Sequence, residues 1–244
     1  MAQLFNPFYL YSYEFDIDLP IAQSEFIGDC WLLSAIKSIS YNKVGRIVLE
    51  KMIARCSDAT IVYLRGLDTF ITIPNIDITQ AISSSHYSQG SKTAIIIELA
   101  FEKLRQEMLK MKFFLPKNLP DYMKDIPFNF FQNKLNWGFS SQAFYCLLGK
   151  EAIQVDKNEI SQCLYNIEHY DNIIACCAFV GNDDFFVKDF YGKNIQIYSR
   201  HSYSIKSVNK YTVTIVNPHH TDKDILLDKN IFVKFVEYIE YCKI

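Results

Sequence analysis

Apolar residues recur at helical spacing through much of the first half of the chain. The stretch from Cys30 to Ser40 predicts a helix, because its apolar residues share one face: Trp31, Leu32, Ala35, Ile36 and Ile39. The same spacing predicts helices over residues 44–55 and 93–112. Between these helices, residues 59–78 show the shorter apolar runs of strands, around a turn at 66–68.

The second half of the chain has the pattern of a sheet. Short helices are predicted over 141–148 and 159–169, and strands follow from Asn172 onward. The stretch 116–137, which contains three prolines and many aromatic residues, is predicted to be irregular. Helices first and strands later are typical of the α+β class, so an α+β fold is predicted.

Length and charge exclude several classes of protein. At 244 residues, of which 50% are hydrophobic, the chain can form one large domain or two small lobes with a sizeable core. The net charge of −2, without a run of Lys or Arg, does not indicate a nucleic-acid partner. No apolar stretch reaches the roughly 18 residues of a membrane span, and the N-terminus lacks the basic start of a signal peptide.

The cysteines indicate a reducing compartment. Their number is odd and their spacing is unpaired, which is not typical of a disulfide framework: Cys30, Cys56, Cys146, Cys163, Cys176, Cys177 and Cys242. Cys176-Cys177 lies in an apolar run and is interpreted as part of a core strand. His219-His220 has no Cys or carboxylate at ligand spacing, so no metal site is predicted there.

Cys30 is the strongest candidate for chemistry. It stands where a loop meets the apolar face of the first predicted helix, within the run Gly28-Asp29-Cys30-Trp31-Leu32-Leu33-Ser34-Ala35. The positive end of a helix dipole favours a thiolate, and the thiolate is the nucleophile in covalent catalysis. The alternative is a buried structural cysteine at a helix start.

That run resembles the nucleophile region of calpains, which are papain-like cysteine proteases with the pattern Gln-Gly-x-x-Gly-Asp-Cys-Trp-Leu-Leu-Ala. Two further stretches are similar to the calpain histidine and asparagine motifs: His201-Ser202-Tyr203-Ser204-Ile205 and Thr214-Ile215-Val216-Asn217-Pro218. The resemblance implies a catalytic triad of Cys30, His201 and Asn217. The separation of 16 positions from His201 to Asn217 suits two adjacent strands joined by a tight hairpin.

The resemblance also implies a fold and a domain division. Residues 1–244 would form a papain-like core with a helix-rich lobe, about 1–125, that carries the nucleophile. A β-rich lobe, about 126–244, would carry the histidine and the asparagine. The active site would then lie in the cleft between the lobes.

Three positions depart from the calpain pattern. Calpains build the oxyanion hole from the backbone N–H of the cysteine and a Gln side chain six residues before it. That position is Ser24 here, so the donor is either Gln23, brought back by a one-residue bulge, or Ser24. The Gly-Gly of the substrate-binding region is reduced to Gly149-Lys150, and the Trp that shields the His–Asn hydrogen bond is replaced by His219.

Calcium binding is a separate question, because calpain cores use calcium to assemble the triad. The acids that follow Asn217 lack an EF-hand or similar pattern: Asp222, Asp224 and Asp228. No metal ligands and no cofactor are therefore predicted. A calcium-independent enzyme is expected, and calcium remains an alternative that the spacing does not favour.

Taken together, the resemblance implies a minimal calpain-like cysteine endopeptidase that cleaves protein substrates through a thioester acyl-enzyme. A lone catalytic core in a Lys-, Asn- and Ile-rich chain resembles bacterial effectors that cleave host proteins. That implies a cytoplasmic location or delivery into a host cell without a cleaved signal peptide. Two alternatives stay open: a deamidase, transglutaminase or acyltransferase with the same triad, and a non-catalytic binding module. The sequence leaves the oligomeric state open.

Overall fold

The computed structural model describes residues 15–110, 135–136, 138–179, 181 and 183–244. Helices and antiparallel sheets are combined in it, in agreement with the predicted α+β class. The helices are α1 Cys30–Tyr41, α2 Lys43–Lys51, α3 Asn75–Ile82, α4 Lys92–Lys110, α5 Ser140–Leu148, α6 Ile160–His169 and α7 Lys229–Phe235.

The strands form three antiparallel sheets. A small sheet in the first half contains β1 Ile53–Arg55, β2 Ala59–Leu64 and β3 Thr69–Pro74. The main sheet has six strands in the order β10-β9-β8-β5-β11-β4, and β6 and β7 form a hairpin of their own. The remaining strands are β4 Ile153–Val155, β5 Ile173–Phe179, β6 Phe185–Lys188, β7 Asn194–Ile197, β8 Ser202–Val208, β9 Thr212–Val216, β10 Asp224–Asp228 and β11 Val236–Lys243.

The main sheet separates two hydrophobic cores. Strand β5 is buried along its whole length, and its side chains alternate between the two faces. Cys176 packs with the helices of the first half, whereas the adjacent Cys177 packs with α6, α7 and the C-terminal strands. The prediction that this cysteine pair belongs to a core strand is therefore confirmed.

Helix α1 is joined to the main sheet by serine hydrogen bonds. The Ser34 hydroxyl donates to the Ser202 carbonyl at 2.8 Å, and the Ser204 hydroxyl donates back to the Ser34 carbonyl at 2.8 Å. Ser38 donates to the Ala175 carbonyl of β5 at 2.6 Å. Because serine is small and can satisfy backbone carbonyls, the helix lies close against β8 and β5. We call these contacts of α1 with β8 the serine seam.

Two helices differ from the sequence-based prediction. Residues 75–82 form α3 where strands were predicted, with Ile78 and Ala81 buried. Residues 229–235 form α7 within the strand-rich half, and the Asp228 side chain caps it by accepting from the amides of Asn230 and Ile231. In addition, the helix predicted over 44–55 ends at Lys51 and β1 follows, paired with β2.

The predicted lobe boundary, near residue 125, lies outside the described residues, as does nearly all of the predicted irregular stretch. Helix α5 follows that boundary, yet its buried Phe144 and Leu147 belong to the core of the helix-rich half. Within the described ranges, no helix is long and apolar enough to cross a membrane.

Candidate active site

Cys30 is the first residue of α1 and lies on a cavity of about 430 Å³. It is only half-buried, whereas five of the seven cysteines are fully buried. The described residues around the cavity are those of the loop 23–28, Cys30 and Trp31 of α1, Asn136, Gly138, Arg200, His201 and His219. The structure therefore brings the predicted nucleophile and the predicted base to one cavity.

His201 and Asn217 lie at the ends of two neighbouring strands. His201 immediately precedes β8, Asn217 immediately follows β9, and the two strands pair antiparallel, as the sixteen-residue separation predicted. The Nε2 atom of His201 is 2.9 Å from the Oδ1 atom of Asn217. This hydrogen bond is buried, and only 7% of His201 is exposed.

A second contact fixes the tautomer of His201. The backbone N–H of His219 donates to the same Oδ1 atom of Asn217 at 3.0 Å. A backbone N–H can only donate, so the atom at this position is the amide oxygen and not the nitrogen. The Nε2 atom of His201 must then carry its proton, which leaves a lone pair on Nδ1 for a base.

Aromatic rings surround His201. The His219 ring stacks on it with a centroid distance of 4.8 Å and an interplanar angle of 1°. Tyr203 meets the His201 ring edge-on at 5.0 Å, and Tyr198 does so at 5.7 Å. The His219 ring therefore covers one face of the buried imidazole.

Burial favours the neutral forms of both Cys30 and His201. It raises the pKa of the Cys30 thiol to about 11, although the backbone N–H of Ser202 and the start of α1 favour the thiolate. Burial also lowers the pKa of His201 to about 4, against the opposing effect of its hydrogen bond with Asn217. Desolvation therefore opposes the thiolate that the helix dipole favours, and it is the larger of the two effects.

The two oxyanion candidates differ in how their side chains are used. The Gln23 Nε2 atom donates to the Ile27 carbonyl at 3.0 Å, and its Oε1 atom has no partner in the described part of the chain. The Ser24 hydroxyl donates to the Ser85 carbonyl at 2.7 Å and accepts from the Phe26 amide at 3.1 Å. Ser24 is thus committed to the loop, whereas the Gln23 amide keeps a second N–H.

Gly149 and Lys150 are not among the described residues that line the cavity. Gly149 ends α5 in a left-handed conformation with φ of 67°, and its α-carbon faces Arg65 of the helix-rich half. Gly149 therefore terminates α5. The substrate-binding role of Gly149 and Lys150 stays a prediction.

Other residues at the cavity were not predicted. Gly138 packs so closely on Trp31 that an added β-carbon would lie 2.5 Å from the indole ring. Asn136 accepts a hydrogen bond from the Gly28 amide, directly before the Asp29-Cys30 pair. Arg200 has a positive φ of 51°, which is uncommon outside glycine and here precedes His201. A lone glycine after an aromatic stretch was the one signal in the sequence that could have identified Gly138.

The described residues contain no group of three or more His, Cys, Asp or Glu side chains arranged to hold a metal ion. Two of the three acids considered for calcium have other partners. Asp224 forms an ion pair with Lys206 at 2.7 Å, and Asp228 caps α7.

Comparisons with known proteins give no relative from which a function could be transferred. Neither the models of known protein families nor the curated proteins contain a match to this chain. Support for any function must therefore come from the geometry around Cys30, His201 and Asn217 and from the motifs in which they occur.

Proposed function

We propose that this chain is a papain-like cysteine endopeptidase of the calpain type, with Cys30 as nucleophile, His201 as general base and acid, and Asn217 as orienting residue. One observation carries the proposal: Cys30, the first residue of the buried helix α1, lines the same cavity as His201, and the Nε2–H of His201 is hydrogen-bonded to Asn217. This arrangement leaves Nδ1 as the proton acceptor in the cavity.

The chemistry starts from a neutral thiol and a neutral imidazole, since burial favours both. As the Cys30 sulfur attacks the peptide carbonyl, the Nδ1 atom of His201 takes its proton, and the positive charge that forms is stabilised by Asn217. His201 then returns the proton to the leaving amine. Water, activated by the same Nδ1 atom, hydrolyses the resulting thioester.

Two N–H groups can donate hydrogen bonds to the oxyanion that develops on the substrate carbonyl. The backbone N–H of the first residue of a helix has no intrahelical acceptor, which makes the Cys30 amide available. Gln23 supplies the second N–H, because its side chain lies on the cavity and only one of its amide hydrogens is used by Ile27. The proposed substrate is a polypeptide, whose scissile carbonyl would lie between Cys30 and these two donors.

Selective labelling of Cys30 tests the proposal directly. The protein is treated at neutral pH with an electrophilic peptide, and labelled cysteines are identified by mass spectrometry. Cys56 is the matched control, because it is the other half-buried cysteine and does not line the cavity. We expect Cys30 to be labelled much faster than Cys56, and His201→Ala to abolish that preference.

A turnover assay separates proteolysis from acyl transfer. An unfolded protein substrate is incubated with the wild type and with Cys30→Ala, in the presence and absence of a primary amine. Fragments that require Cys30 support an endopeptidase. Amine incorporation without fragments would instead indicate a transglutaminase or acyltransferase, and equal labelling of Cys30 and Cys56 would remove the basis for an enzyme.

A further inference from the structure

Directly before the nucleophile lies a carboxyl group without an ordinary partner. Asp29 is completely buried, and within the described residues neither of its carboxylate oxygens receives an N–H or O–H hydrogen bond. Asp29 occupies the N-cap position of α1, where an Asp side chain normally accepts from the helix amides, but it makes no such cap. Its side chain must therefore be satisfied in some other way.

The group that Asp29 meets is a second buried carboxyl, Glu98 of α4. The two carboxyl groups lie within hydrogen-bonding reach of each other, and both residues are completely buried. Two ionised carboxylates offer only acceptors and repel each other, so this contact requires one proton between them.

The surroundings of Glu98 identify which carboxyl is ionised. Glu98 already accepts from the Ser88 amide through both oxygens, at 3.1 and 3.2 Å, and from the Ser88 hydroxyl. Such donors stabilise a carboxylate. Apart from its own backbone N–H, Asp29 has no such donor among the described residues, so a negative charge on Asp29 would be the more costly arrangement.

We propose that Asp29 is protonated and donates its hydrogen to the ionised Glu98, so that this acid pair positions the start of α1 beneath Cys30. Because the Asp29 side chain does not cap the helix, it leaves the amides of Cys30 and Trp31 uncapped at the cavity, whereas those of Leu32 and Leu33 donate to the Asp29 carbonyl. Because Asp29 is neutral, no carboxylate charge lies next to the sulfur and opposes formation of the thiolate. The inference rests on the proposed function in one respect only: it takes Cys30, the residue that α1 positions, to be the nucleophile.

The hydrogen bonds around the pair agree with this assignment, whereas the two charged side chains nearest to it, Arg105 and Glu102, act against it. Burial raises the pKa of both carboxyls; Glu98 raises that of Asp29 further, whereas the hydrogen bonds from Asp29 and Ser88 lower that of Glu98. On α4, Arg105 favours ionisation of Asp29 and Glu102 opposes ionisation of Glu98. Arg105 also lies over the Trp31 ring at 4.9 Å, and Glu102 accepts from the Tyr87 hydroxyl at 2.5 Å.

The sign of the pH dependence follows from linkage. A carboxyl whose pKa is higher in the folded than in the unfolded protein favours folding below its unfolded pKa, which is about 4. That contribution is lost as the pH rises toward the folded pKa. Asp29→Asn keeps an N–H donor for Glu98 without needing a proton, so the variant should lose this pH dependence.

Urea unfolding of Asp29→Asn, Glu98→Gln and wild type, at pH values from about 4 to about 8, tests the proposal. The unfolding midpoint of Asp29→Asn should equal or exceed that of the wild type near pH 8, and its advantage should shrink toward pH 4. Glu98→Gln should be less stable than the wild type throughout, because it loses the carboxylate that Ser88 binds. The exposed Asp222→Asn controls for the loss of one charge.

None of these measurements requires catalytic activity, so they remain informative if the protein is not a protease. A second measurement concerns the position of α1: labelling of Cys30 in Asp29→Asn should stay within about twofold of the wild type at neutral pH. The proposal is overturned if Asp29→Asn is less stable than the wild type near pH 8 and keeps the wild-type pH dependence. It is also overturned if Glu98→Gln is as stable as Asp29→Asn.

Discussion

The two halves of the candidate site differ in how their polar groups are satisfied. On the strand side, the Asn217 Oδ1 atom is hydrogen-bonded both to the His201 ring and to the His219 amide, and the His219 ring stacks on His201. On the helix side, neither the Gln23 Oε1 atom nor the oxygens of the Asp29 carboxyl group accept a hydrogen bond from another described residue.

This difference separates two tasks. The strand side sets the tautomer and orientation of a base before any substrate binds, which is what a rigid set of hydrogen bonds achieves. On the helix side, the Gln23 side chain keeps a second N–H that Ile27 does not use, and a free N–H donor is what binding a substrate carbonyl requires. Variants on the strand side should therefore affect proton transfer, and variants on the helix side should affect stabilisation of the oxyanion.

The largest expected effects are on the strand side. His201→Ala removes the base, whereas Asn217→Ala removes only the group that orients it, so the loss of kcat should be roughly 100-fold smaller for Asn217→Ala. Single-turnover kinetics with a peptide substrate measure both, and circular dichroism checks that each variant is folded. A greater loss for a folded Asn217→Ala than for a folded His201→Ala would contradict the assigned roles.

On the helix side, Gln23 and Ser24 form a matched pair. Gln23→Ala should lower kcat by about 10²–10³-fold, because an oxyanion donor is lost. Ser24→Ala should change kcat little, because its hydroxyl already serves Ser85 and Phe26 within the loop. If the serine variant alone is slow, the proposed donor is the wrong residue.

Local sequence was sufficient to predict the elements with strong apolar periodicity. The helix starting at Cys30, the helix ending at His169 and the buried strand after Asn172 all occur within a residue or two of the predicted bounds. Short helices were missed, because seven or eight residues hold too few apolar positions to establish a period. For α7 the deciding feature is the Asp228 cap, which a strand-like pattern conceals.

For the site, motif order led to Cys30, His201 and Asn217, but the surrounding contacts depend on residues distant in sequence. The choice between Gln23 and Ser24 depends on a hydrogen bond to Ser85 that no local pattern contains. The Asp29–Glu98 pair joins a loop to a helix far along the chain and is not visible in the sequence. The dipole argument for a thiolate at Cys30 also leaves out burial, which acts in the opposite direction and depends on residues distant in sequence.

The serine seam connects the two halves, and its removal should have an effect of intermediate size on stability and activity. Removing both cross-contacts in a Ser34→Ala/Ser204→Ala double variant should cost about 1–3 kcal/mol of unfolding free energy, at about 1 kcal/mol for each hydrogen bond. Activity should also fall, because α1 and β8 would no longer hold Cys30 and His201 in alignment. Ser40→Ala is the control, because its hydroxyl donates within α1 to the Lys37 carbonyl.

The activity assay on the double variant also tests whether calcium is required. If the seam aligns the halves, wild-type kcat/KM should be equal in a chelator and in added calcium, and the double variant should be reduced equally in both. Activity that disappears in chelator and returns specifically with calcium would show that an ion, rather than the seam, sets the register.

The smallest expected effect concerns His219 and the pH at which the base is lost. Only neutral His201 can accept the Cys30 proton, so activity should be present above the His201 pKa, about 4, and lost below it. His219 lowers that pKa by charge repulsion, in addition to the larger effect of burial.

His219→Trp should therefore shift the acid limb of the pH–kcat profile to higher pH, by about one unit or less. The plateau value of kcat should be retained, because the larger ring still covers His201 and the backbone amide of residue 219 still donates to Asn217. His219→Ala removes the same imidazole but uncovers the His201–Asn217 hydrogen bond, so its plateau should also fall. Circular dichroism at each pH separates the shift from acid unfolding. An acid limb that stays in place in His219→Trp would mean that the stacked imidazole covers the base without influencing its charge.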